Sequence, residues 1–534
     1  MHRLRQYVTD AFLVAMASGA FIFTGIPHVE ARPNQWVRVS SDHFSVLTDG
    51  GEKKGRQVAV RFEQMRAVMA ELLQFNTEQM RMPEPLDIVA FDKDSEYAAV
   101  APVFDGLPTT DPAFFVPGGD RNYIVLNLFE PDSWRSLAHQ FAHLYLNYDL
   151  NPSQPWFDEG FAEYFSTIDL NDTDVELGSD PEMKMQWRED IFGNQFKLFN
   201  APRSLTDILE SPVWLAIPDL FTLQHRVPNY QEGTHHTLFY AQSWIVVHYL
   251  LNKNKIEDTK NYFDLVRSKI DVNDAILGAF GMSAIRFDQE VKDYRQSLWP
   301  LFRAYYASLN SDSLNLGIPD SSTGGFAAPL KADDIATSAS ALPDAEAEGL
   351  LAEMELRSPQ HRADVLSRLH ELALGPSTQT AACFRALAWA AVRLGNVSQA
   401  ATYLSEARGL DPKDPWGRYE LALLRNAKEQ FDPDGIRDLQ IVLKWDPDFA
   451  AAHYLLSRAY LKTNQAESAL REIESATSLS PRDENYQLQE AFIFAALHDT
   501  QAAAATLESL KHSDNPQIAR AARNKLSNLE SPAK

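Results

Sequence analysis

His139-Gln140-Phe141-Ala142-His143 and, after a loop bearing Pro152 and Pro155, Trp156-Phe157-Asp158-Glu159-Gly160-Phe161-Ala162-Glu163-Tyr164-Phe165 make the most informative stretch of the chain. Histidines four residues apart project from one face of a helix and can grip a single metal ion. Glu159, sixteen residues beyond His143, falls in a second apolar-periodic segment and can complete a His, His, Glu zinc site. The short loop lets the two helices pack antiparallel. A His-x-x-x-His pair alone is a weak signal in a chain with 14 histidines. The glutamate in its Trp-Phe-Asp-Glu-Gly-Phe-Ala context gives it weight.

Outward from this stretch, residues 35–309 read as a mixed α/β and then mostly helical domain. His43 to Thr48 alternates like a strand and Asp49-Gly50-Gly51 ends it with turn residues. Val58, Phe62, Met65, Val68, Met69 and Leu72 recur at helical spacing. Leu86 to Phe91 reads as a buried strand, and Ala113 to Val116 with Tyr123 to Leu126 as a hairpin around Pro117-Gly118-Gly119-Asp120. The helix carrying the histidines is expected to start after Pro131-Asp132-Ser133.

Residues 310–348 shift to Ser, Asp, Ala, Gly and Pro and read as a linker or strap. Residues 349–530 are helical and repetitive. Asp411-Pro412, Asp446-Pro447 and Ser480-Pro481 recur at intervals of 35 and 34 residues. Ahead of Pro412 stand Leu387, Gly395, Ala400, Leu404 and Ala407; ahead of Pro481 stand Leu456, Tyr460, Ala469, Ile473 and Ala476. Small residues where two helices cross, bulky ones between them and a terminal proline are the tetratricopeptide-repeat pattern. In the middle repeat Gly435 stands at the usual alanine position. A further repeat around Ala503 and Leu507 lacks the proline, a capping helix is expected near 518–529, and a weaker helix pair is expected at 349–374.

Composition bounds the function. The 534 residues exceed what one core ordinarily holds. The net charge of −24, with no Lys/Arg run, argues against nucleic acid or an anionic membrane surface as the main partner. Cys383 is the one cysteine, so no internal disulfide can form. Arg3 and Arg5 precede an apolar run from Ala11 to Ile26, and Val29-Glu30-Ala31 offers small residues for cleavage. Residues 1–31 therefore read as a signal peptide, with export to the periplasm or the outside as the expectation. The other reading is an uncleaved N-terminal membrane anchor.

The Gln140-containing helix and the Glu159 segment resemble the gluzincin zinc peptidases, whose helix motif is His-Glu-x-x-His with a distant glutamate in a Trp-Leu-Asn-Glu-Gly-like context. The closest likeness is to the peptidase MA-like family of exported bacterial proteins, often joined to tetratricopeptide repeats. Phe239-Tyr240-Ala241-Gln242-Ser243-Trp244, Val247-His248-Tyr249-Leu250-Leu251 and Ala279-Phe280-Gly281 are similar to segments that follow the active site there. The resemblance, over roughly residues 36–300, implies an α+β gluzincin-like domain followed by an all-α repeat superhelix. It makes His139, His143 and Glu159 the ligands of a Zn²⁺ ion, Glu163 a carboxylate orienting His139, and Tyr240 a stabiliser of the developing oxyanion. His235 and His236 are candidates for that last role. The hairpin before the histidine helix, including Tyr123 to Asn127, sits where such enzymes keep the strand that aligns an extended peptide.

The chain departs from the family at Gln140, where the general-base glutamate belongs. An amide keeps the shape but cannot take up a proton near neutral pH. The resemblance therefore implies a pseudopeptidase that binds peptide or protein partners through its cleft and repeats; the alternative is an active zinc metallopeptidase with a non-standard base. Plainer readings stand beside these: packed core histidines, a solvated Glu163, a structural Tyr240. No Gly-x-Ser-x-Gly elbow or phosphate-binding glycine loop competes.

Overall fold

A computed structural model of the chain describes residues 36–74, 85–104, 107–109, 111–117, 121–130, 133–149, 154–171, 173–181, 187–189, 195–197, 204–223, 237–309, 326–358, 362–428, 431–481, 483–513 and 515–530. The readings of residues 1–31 and of His235 and His236 lie outside them. Among the described residues no helix is long and apolar enough to cross a membrane.

The first part is built on a six-stranded sheet. Its strands are β1 (Val37–Ser40), β2 (Ser45–Thr48), β3 (Leu86–Phe91), β4 (Ala113–Val116), β5 (Asn122–Asn127) and β6 (Ser338–Ala341), in the order β6-β1-β2-β3-β5-β4. The centre is parallel: Val46 pairs with Ile88 and Ile88 with Ile124. Both flanks are antiparallel, β1 with β2 and β6, and β4 with β5. Every residue of β5 is buried, as expected of an inner strand covered on both faces. One face, with Val46, Ile88, Ala90, Ile124 and Leu126, packs under α1 (Gly51–Leu73) and α2 (Ser133–Asp149). Phe62 of α1 meets Phe141 of α2 edge-on at 5.5 Å. The other face, with Leu47, Val89, Phe91, Tyr123 and Val125, lies with Ala347, Leu351 and Met354.

The last three belong to a helix that begins at Asp344, inside the stretch expected as a strap. After α3 (Pro155–Phe165) and α4 (Leu238–Asn252), three more helices follow at Ile256–Arg267, Val272–Phe280 and Ala284–Leu309. The chain then returns to the sheet. Of the stretch expected as a linker, Phe326–Ala327 pairs with Asp174–Glu176, and β6 zips onto β1 from Val37↔Ala341 to Ser40↔Ser338. Ser338-Ala339-Ser340-Ala341 carries no large apolar residue and is exposed throughout, an edge strand held by its backbone pairing. Helix α5 (Asp344–Glu355) then covers the second face.

The remaining helices stack in pairs. They are α6 (Arg362–Leu374), α7 (Ala381–Arg393), α8 (Val397–Leu410), α9 (Pro415–Ala427), α10 (Pro433–Trp445), α11 (Ala450–Lys462), α12 (Ala466–Leu479), α13 (Glu484–Ala496), α14 (Thr500–Leu510) and α15 (Pro516–Glu530). Ala400, Leu404 and Ala407, then Ala469, Ile473 and Ala476, then Ala503 and Leu507 are all buried. Asp414, Asp432, Asp483 and Asp499 each cap a following helix by accepting a hydrogen bond from a backbone N–H.

A buried ionic cluster joins the sheet to the repeats. Arg121, which precedes β5, lies 3.3 Å from Asp87 and 3.5 Å from Glu353 of α5, and stacks 3.4 Å over the ring of Trp416 in α9. Glu353 in turn pairs with Arg385 of α7 at 3.0 Å, and Arg385 with Asp414 at 2.6 Å. Each of these charges is stranded if its partner is lost, so the cluster fixes which surfaces meet.

Candidate metal centre

The centre is made where α2 and α3 cross. Apolar residues bury the two helices: Phe141 stacks on Phe165, and Trp156 on Phe221 at 3.9 Å. α3 starts with Pro155 at its first turn, where a missing N–H costs nothing. Against its far side lies α4. A Cβ on Gly160 would stand 2.4 Å from the Ser243 carbonyl oxygen, so the contact between α3 and α4 exists only because residue 160 has no side chain.

That packing sets Glu159 facing the histidines. His139 Nε2 and His143 Nε2 are 3.0 Å apart, and Glu159 Oε2 lies 3.8 Å from the first and 3.5 Å from the second. One ligand atom from each residue lies within 4.8 Å of the other two. His139 and Glu159 are buried and His143 nearly so. The other ring nitrogens also face carboxylates: His139 Nδ1 lies 3.9 Å from Glu163 Oε1, and His143 Nδ1 lies 3.2 Å from Asp158 Oδ1. His143 opposite Asp158 and His139 opposite Glu163 is an antiparallel register. Burial disfavours the His143 cation, but Asp158 and then Glu159 outweigh it and hold the pKa well above the ordinary histidine value.

The structure thus brings His139, His143, Glu159 and Glu163 together. Gln140 follows His139 on α2, half-buried. Tyr240 is buried in the first turn of α4, the helix seated on Gly160. Asp158 escaped the sequence reading. Only the crossing of α2 over α3 gives it a histidine. Of the hairpin expected to align a peptide, β5 is paired on both sides, by β3 and β4, so its edge is not on offer. β4 is the outermost strand on that side, and α2 packs along it.

Residues 434–491 match the tetratricopeptide repeat family. This segment of the chain is a tetratricopeptide repeat. No curated protein matches the sequence. Among solved structures, the segment of MamA from residue 41 to the end, from Desulfovibrio magneticus RS-1, is 21% identical with a TM-score of 0.28, over 34% of this chain and 98% of that one. TTC0263, a thermophilic repeat protein of Thermus thermophilus, is 24% identical with a TM-score of 0.23, over 27% and 77%. The APC/C hetero-tetramer Cut9-Hcn1 is 16% identical with a TM-score of 0.30, over 56% and 51%. The molecule is mostly helical, with a small N-terminal sheet and a repeat array of the kind that mediates contacts between proteins.

Proposed function

We propose that this is an exported metallopeptidase-like protein that keeps a gluzincin-type metal centre, has lost the general base, and acts by recognition. One observation carries the reading: Nε2, Nε2 and Oε2 of His139, His143 and Glu159 converge while each Nδ1 faces a carboxylate. The donor set fits zinc. Zn–N bonds of ~2.05 Å in a tetrahedron put ligand atoms about 3.3 Å apart, close to the 3.0, 3.5 and 3.8 Å separations here. Zinc at such a centre supplies Lewis acidity and lowers the pKa of a water to about 7.

The chain's own residues do the rest. Glu163 and Asp158 fix the ring orientations, so that both Nε2 atoms offer their lone pairs inward. Gln140 can donate and accept hydrogen bonds where a base would stand, but it cannot carry a proton from water to a leaving amine. Losing that transfer costs ~10²–10⁴-fold in rate, which turns a cleaving cleft into a holding one. β4 offers an edge on which an extended peptide can add as a strand. The repeats supply a second binding surface.

The test is the zinc content of the mature chain, from Arg32 onward, beside His139→Ala. About one zinc per chain, absent from the variant, is expected. Metal-free protein that folds normally would reduce the histidines to packing residues and leave a repeat scaffold.

A further inference from the structure

On the α5 and α6 side of α7, half-buried Trp389 gathers three guanidinium groups. Arg393 lies 4.7 Å from the ring centroid, Arg357 5.4 Å and Arg362 5.9 Å. They come from the end of α7, the turn after α5 and the start of α6, so the fold assembles them; no run of charge in the sequence does. Arg362 is aimed by donating Nε–H to the Leu356 carbonyl at 3.1 Å. Arg357 is held between two rings, with Tyr123 of β5 at 5.2 Å on its other side. Among the described residues no carboxylate pairs with Arg362 or Arg393, whereas nearby Arg368 engages Glu355 and Glu348. Val392 and Leu394, beside Arg393, expose 47% and 70% of their surface.

We propose that this patch docks an acidic segment of a protein partner, with carboxylates on Arg362 and Arg393 and an apolar side chain against Trp389, Val392 and Leu394. This rests on the reading of the repeats as a protein-binding array and names the partner's chemistry. Three guanidinium groups on one indole are out of keeping with a chain of net charge −24. The fork of N–H donors on each matches a carboxylate. Arg and Trp, in a part-desolvated setting, are the residue types that most often anchor a protein interface. Nucleic acid is disfavoured because the acidic remainder of the surface would repel its backbone.

The experiment selects binders of the mature full-length chain from a random 12-residue displayed-peptide library, then measures the recovered peptides by fluorescence anisotropy. Wild type is compared with Arg393→Glu, Trp389→Ala and Arg362→Glu, and a duplex oligonucleotide is measured in parallel. Arg393 is exposed, so its reversal should leave circular dichroism and thermal unfolding unchanged. The expected result is Asp/Glu-rich peptides whose affinity falls ~10-fold or more in Arg393→Glu and falls with added salt. Peptides without acidic enrichment, or indifferent to all three variants, overturn the patch while leaving the array a protein binder. No peptide binding at all, or Arg393-dependent binding of the oligonucleotide alone, overturns both.

Discussion

Gly160 and Ser243 touch backbone to backbone: a Cβ on residue 160 would come 2.4 Å from the Ser243 carbonyl oxygen and 2.6 Å from its carbon. Neither atom can swing aside, since both lie inside α4. Gly160→Ala must push the helices apart, and should destabilise the protein by about 1–3 kcal/mol. Because Glu159 is the neighbouring residue, zinc affinity should fall with it. Denaturant melts and zinc titration of the variant check both; unchanged stability would mean that the helices are not seated as described.

Gly435 makes the opposite case. A Cβ there would meet only side-chain atoms, Asp432 Oδ1 at 3.4 Å and Arg425 at 3.6 Å. Gly435→Ala restores the residue usual at that repeat position and should stabilise by about 0.4–1 kcal/mol. The midpoint of urea unfolding reads it directly.

Asp158 and Glu163 should act on the metal without touching it. Asp158→Asn and Glu163→Gln each leave a histidine Nδ1 facing an amide, and zinc should bind ~10–100-fold more weakly in each. Competition with a chelator measures the affinity. Equal affinity in all three proteins would show that the carboxylates merely fill space.

Gln140→Glu tests whether only the base is missing. Hydrolysis of a labelled casein by the zinc-loaded protein should rise ~10²-fold or more over wild type. A wild type that already cleaves at an ordinary rate would show that another group takes the proton.

The ionic cluster should make the protein acid-sensitive. Burial pushes the Glu353 carboxyl up, but Arg121, Arg385 and Arg357 outweigh it and bring its pKa to about 2, from an ordinary 4.5. The folded state thus keeps this carboxylate ionised at pH values where the unfolded chain protonates it. Its stabilisation is full above about pH 4.5 and disappears as pH falls towards 2. Glu353→Gln should cost about 3–5 kcal/mol at pH 6, with the gap to wild type narrowing at pH 3. A gap independent of pH would refute the ionic account.

Much of this was legible in the sequence where spacing carries information. Pro412, Pro447 and Pro481, with alanines at fixed distances ahead of them, follow from the geometry of crossed helices, so the repeats could be read from one chain. His139 and His143 were legible because i, i+4 spacing fixes a helix face, and Glu159 through its Trp-Phe-Asp-Glu-Gly-Phe-Ala context. Asp158, β6 and the Arg121–Glu353–Arg385 cluster were not. Each draws its meaning from a residue far along the chain, and no local pattern marks a carboxylate that will meet an arginine of another layer. Which strand of the hairpin is the outer one was not legible for the same reason: a hairpin shows which strands pair, not which of them finds a third partner.

Strand β6 imposes an order of assembly. Its partner β1 leaves the ribosome early, and the whole of residues 41–337 must be synthesised before Ser338–Ala341 can close that side of the sheet. The helix that covers the second face comes later still. Until then β1 is an unprotected edge above an apolar surface, the kind of template on which nascent chains stick to one another. Long-range pairing of this sort is also slow. A newly made chain is therefore most in need of a chaperone while its first domain is fully translated and still unfinished.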